Sequence, residues 1–109
     1  MIQPTASFKD NLDLLPSIEG IARIELSDAS GTVVASIENA PGKAGSVRVY
    51  NYLGAVFGEL DEAAATHALE VFAEHTADAK ARPGAHPNID RLFEVIETGK
   101  SLTITPVAA

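Results

Sequence analysis

Ile21-Ala22-Arg23-Ile24-Glu25-Leu26-Ser27-Asp28, then Ala29-Ser30-Gly31, then Thr32-Val33-Val34-Ala35-Ser36-Ile37-Glu38, is the stretch that decides the fold. In the first run Ala22, Ile24 and Leu26 alternate with Arg23, Glu25 and Ser27. A strand turns successive side chains to opposite faces, so this period of two gives one apolar and one wet face. The second run alternates again, with Val33, Ala35 and Ile37 on one side. The short loop between them carries Gly31, which tolerates positive φ. The expectation is a β-hairpin with Ile24, Leu26, Val33 and Ile37 buried beneath helices.

The flanking segments supply the helices. Ser7 to Leu15 reads as a short helix: Ser7 can cap it, Phe8, Leu12 and Leu15 share a face, and Pro16 stops it. Ser46 to Phe57 reads either as a strand that begins Ser46-Val47-Arg48-Val49-Tyr50 or as a helix. The spacing of Val49, Leu53, Val56 and Phe57, with Gly58 behind them, favours the helix, although Gly54 weakens it by about 1 kcal/mol relative to Ala. Asp61 to Lys80 reads as one long Ala-rich helix and Pro87 to Thr98 as another, with Ile89, Leu92, Phe93 and Ile96 on its apolar stripe. Ser101 to Thr105 reads as a last strand and Pro106 to Ala109 as a loose end. The expected fold class is α+β. A small antiparallel or mixed three-stranded sheet carries helices on one face, in the order α-β-β-α-α-α-β, and residues 1–109 form a single domain.

Composition narrows the function. The 109 residues are 46% hydrophobic and 21% charged, an ordinary globular balance with enough apolar material for one core. Cysteine is absent, which excludes disulfides, thiolate metal sites and cysteine nucleophiles. Fifteen acids against eight Lys and Arg leave a net charge of −7, which disfavours binding to a phosphate backbone. The start of the chain lacks the basic and apolar regions of a secretory signal, and no window approaches the ~18 apolar residues of a membrane span. A cytoplasmic protein is the expectation, with no nucleic acid, membrane or cofactor involved.

Motifs for phosphate loops, dinucleotide binding, zinc proteases and serine hydrolases do not occur. Gly42-Lys43-Ala44-Gly45-Ser46 falls short of a phosphate-binding loop and reads as a surface loop, with an anion nest at a helix start as the alternative. His67, Glu70, Glu74 and Asp78 fall on one strip of the long helix. Such a strip could hold a divalent metal, but a helix must also show a polar face to water, so no metal ligands are assigned. His75 and His86 flank one tight turn, with Asp78 and Asp90 in reach. Two imidazoles and two carboxylates make a candidate ligand-binding or acid-base set. The structural alternative has His75 satisfied by a backbone carbonyl and His86 as a helix-start residue. Between Val49 and Ala79 all six charged side chains are acidic, and Glu70 and Glu74 on that face are the candidate protein-docking residues.

Ala73-Glu74-His75-Thr76-Ala77-Asp78-Ala79, Pro83-Gly84-Ala85-His86-Pro87-Asn88-Ile89-Asp90-Arg91-Leu92 and Leu15-Pro16-Ser17-Ile18-Glu19-Gly20-Ile21 together resemble a small family of uncharacterised bacterial proteins known as a domain of unknown function. The resemblance covers most of the chain. It implies a bacterial cytosolic setting and carries over no catalytic or binding residue. The expected function is a small accessory or regulatory protein-binding module, its partner a protein and a homodimer among the possibilities. The alternative is a small metal- or ligand-binding protein, or an enzyme, using His75 and His86 with nearby carboxylates. No catalytic residue is assigned.

Overall fold

In the computed structural model, which describes residues 1–109, strand β1 (Ile21–Ser27) pairs antiparallel with β2 (Val33–Glu38), setting Ile24 opposite Ile37 and Leu26 opposite Ala35. The next pair is Ser27 with Val33, so Val34 is an extra residue in β2. This bulge reverses the alternation beyond Ala35. Ile24, Leu26 and Ile37 are buried as their spacing requires, whereas Val33 is 50% exposed, contrary to the strict period-two reading.

The sheet has four strands rather than three, all antiparallel, in the order β2-β1-β4-β3. The added strand, β3 (Glu59–Leu60), is two residues long and pairs with Thr103 and Leu102. Strand β4 (Leu102–Ala108) runs along β1 through Ala108, so the expected loose end is part of the sheet. Pro106 lies where β4 extends past β3, an edge position of the kind at which proline is tolerated.

Five helices complete the chain, in the order α-β-β-α-β-α-α-α-β. Helix α1 (Phe8–Leu12) is capped by Ser7, whose hydroxyl accepts from the Asp10 N–H. It ends earlier than expected, but i→i+3 turns at Leu14 and Leu15 carry the chain on and Leu15 is buried. The ambiguous segment is a helix, α2 (Ala44–Phe57), ended by Gly58. It crosses the sheet's inner face so closely that a Cβ on Gly54 would lie 3.2 Å from Ile104 Cγ2. That close approach accounts for a glycine inside a helix.

The long helix expected over Asp61–Lys80 is two helices, α3 (Glu62–Phe72) and α4 (Glu74–Ala81). They meet at Ala73, at φ 52° and ψ −118°. In a continuous helix the carbonyls of Leu69 and Val71 would accept from the amides of Ala73 and His75. Instead Thr76 Oγ1 donates to the Leu69 carbonyl at 2.6 Å and Asn11 Nδ2 donates to the Val71 carbonyl at 2.9 Å. Asn11 is the only buried polar residue, and it also accepts from Thr5 N and donates to Thr5 O. Helix α5 (Pro87–Thr98) then packs on α3. One cluster of 20 buried residues joins the sheet's inner face to the helices. No helix is long and apolar enough to cross a membrane.

Candidate functional site

A cleft of about 530 Å³ lies between α1, the start of α2, the break after α3 and the start of α5. Phe8 and Phe72 stack in it with ring centroids 5.2 Å apart. His75, set by the break onto the first turn of α4, meets Phe8 edge-on at 5.0 Å and lies 5.7 Å from the ring of His86. The structure thus brings the two histidines to one cleft, as their positions around the turn suggested.

Their hydrogen bonding differs. His86 donates from Nε2 to Asp78 Oδ2 at 2.6 Å, since an ionised carboxylate only accepts. Asp78 is also gripped by both Nε and Nη2 of Arg82. The Arg82 bonds, and after them the His86 bond, hold the Asp78 carboxyl well below the usual range. Asp78 is therefore ionised at neutral pH and fixes the orientation of the His86 ring. The His75 ring makes no hydrogen bond within the protein, so the backbone-carbonyl reading of this residue does not hold. No buried side-chain nitrogen or oxygen lacks a partner, so the His75 nitrogens open onto the cleft.

Asp90 takes another role. Its Oδ2 accepts from the Gly84 N–H at 3.0 Å and staples the turn between α4 and α5, with no bond to either histidine. The acidic strip of the single-helix reading is dispersed by the break at Ala73. His67 shares a hydrogen bond with the Tyr52 hydroxyl at 2.8 Å, and burial lowers its pKa. Glu74 Oε1 accepts from the Phe8 N–H at 2.7 Å, which lowers its carboxyl pKa. Glu70 remains on the surface. Of the two docking candidates, Glu74 is thus engaged within the fold. No group of three or more His, Asp or Glu side chains is placed to hold a metal ion.

One further component of the cleft lies far from the histidines in the sequence. Gly42 to Ser46 lies on the same cleft as the histidines. Helix α2 starts at Ala44 without a side-chain cap, because Lys43 in the cap position has no oxygen to offer. The N–H groups of Gly45 and Ser46 have no partner in the chain. A Cβ on Gly45 would lie 3.3 Å from the Phe8 ring, so glycine lets the helix start approach the cleft floor.

Residues 8–106 match the family described as uncharacterized protein conserved in bacteria (DUF2322). The chain belongs to this family. The DUF2322 match takes in both histidine motifs and the cleft residues from Phe8 to Ile89. No curated protein and no solved structure is significantly similar to the chain.

Proposed function

We propose that the protein binds a small ligand in the His75–His86 cleft, and that the ligand is a compact anion of the phosphate class carried on an apolar or aromatic body. The observation that carries this reading is the open imidazole of His75 facing a carboxylate-anchored His86 across an aromatic-lined cleft. The volume lies within the roughly 300–1,000 Å³ of small-molecule sites. Phe8, partly exposed over the core residue Phe72, offers its ring to an apolar body, while His75 and Lys43 offer donors to an anion. The unpaired N–H groups at the start of α2 add to that preference. Asp78 does not oppose it, because its charge is engaged by Arg82 and His86.

Phenyl phosphate is the probe, with phenol as the uncharged control. Phenyl phosphate at pH 6.5 should raise the melting temperature saturably and shift the ring resonances of His75 and His86, whereas phenol should do neither. His75→Ala and Lys43→Ala should each reduce the rise without unfolding the protein. The same rise with phenol, or one unaffected by both substitutions, would remove the ligand from this cleft.

A further inference from the structure

A second cleft, of about 800 Å³, separates α5 from the far half of the hairpin. Its apolar surface comes from Val34 and Ala35 of β2, Val95 of α5 and Leu102 of β4. Val34 is 53% exposed. The bulge leaves it unpaired against β1.

Arg91 stands in this cleft in an unusual condition. Its Nη1 donates to the Tyr50 hydroxyl at 3.1 Å and to Asn88 Oδ1 at 3.0 Å. Both hydrogens of that nitrogen are therefore used. The Tyr50 hydroxyl is itself fixed, since it donates to the Asn88 carbonyl. The guanidinium carbon lies 5.7 Å from the Tyr50 ring centroid. The group is thus held in place before any ligand arrives.

Nε and Nη2, the other edge of the fork, have no partner in the protein. Arg23 and Arg82 bond carboxylates, and Arg48 bonds the backbone carbonyls of Leu15 and Pro16. Arg91 alone among the arginines holds its Nη1 while leaving both Nε and Nη2 free, in a chain with fifteen acids. The acids of the cleft do not fill it. Asp28 accepts from Ser30 N, Ser30 Oγ and Thr32 N of its own loop, and Glu94 makes no ion pair with Arg91. Lys100 adds a further positive charge.

We infer that this cleft binds a carboxylate on a short aliphatic body, with the carboxylate taken bidentately by Nε and Nη2 of Arg91 and the body lying over Val34, Val95 and Leu102. The guanidinium fork matches the spacing of two carboxylate oxygens, and its bracing lowers the entropy lost on binding. This site is separate from the histidine cleft, and each reading can fail without the other.

Hexanoate and its uncharged counterpart hexanamide test the inference by NMR titration of the labelled full chain. Hexanoate should shift the amides of Val34, Arg91 and Val95 saturably, and hexanamide should not. N-acetyl-valyl-valine with a free carboxylate tests a peptide end as the source. Tighter binding than hexanoate assigns the site to chain ends, and weaker binding assigns it to small carboxylates. Arg91→Lys keeps the charge but loses the fork, and should weaken hexanoate by at least about tenfold. Arg91 also braces Tyr50, so Val34→Glu, at an exposed position, provides a second variant and should abolish the shifts in a folded protein. Equal shifts with hexanamide, or hexanoate shifts that survive Val34→Glu, would overturn the inference, as would silence from both carboxylates.

Discussion

Tyr50 shows how one side chain can serve both core and cleft. Its ring is completely buried, and its hydroxyl links the Asn88 carbonyl to Arg91. Burial pushes its pKa up to about 12, and the positive charge of Arg91 offsets only part of that rise. The folded state therefore holds a proton that the unfolded chain releases near pH 10. This contribution to stability is complete below about pH 10 and is lost as pH rises toward 12. Urea melts should show a loss of about 1 kcal/mol from this group by pH 11, since one pKa unit corresponds to about 1.4 kcal/mol. Tyr50→Phe, less stable at pH 8 through its unpaired partners, should show a smaller loss between pH 8 and pH 11. Identical pH slopes for the two proteins would show that Tyr50 does not set the alkaline limit.

Among the elements, the junction of α3 and α4 carries the clearest strain. Ala73 holds φ 52° with ψ −118°, a region that suits glycine and costs other residues about 1–3 kcal/mol. Ala73→Gly should therefore raise stability by about 1 kcal/mol, after glycine's greater freedom in the unfolded chain is subtracted. Urea denaturation checks the sign, and a lower midpoint would mean that the junction relaxes without glycine. Nothing in Phe72-Ala73-Glu74 announces this break. It is enforced by Asn11, 60 residues away from the Val71 carbonyl it captures, together with Thr76. Helices α2 and α5 were legible because each carries its own apolar period and closing glycine. Strand β3 was not, because two residues hold no period and only Leu102 and Thr103 make them a strand. Val33 was misplaced for a similar reason: a bulge depends on the partner strand.

For the whole molecule, the position of β4 matters most. It lies between β1 and β3, and its last residues pair with Ile24, Arg23 and Ile21, while the Ala109 N–H donates to the Gly20 carbonyl. Removing Pro106–Ala109 should cost about 2 kcal/mol or more, from several ladder bonds and the packing of Val107. A loose tail would leave the thermal midpoint unchanged, and that result would contradict the pairing. The two histidines were legible as a pair because a short turn joins their helices. Their meeting with Lys43 was not, since it depends on how α2 docks against α1. Arg91 was invisible as a site for the same reason: its open edge exists only because Tyr50 and Asn88 occupy the other.

Strand β4, interior to the sheet, is also made after the hairpin, β3 and all five helices. Until that strand has been made and released, the preceding elements have no β4 beside them. Through that interval β1 exposes a full row of unsatisfied amides and carbonyls, and Leu60 has no strand to pair with. The nascent protein is then most open to misassociation with its neighbours on a polysome. Folding is therefore completed only after translation of β4, by insertion of that strand into a waiting slot. Demand for chaperones should follow the rate at which residues 102–108 are made.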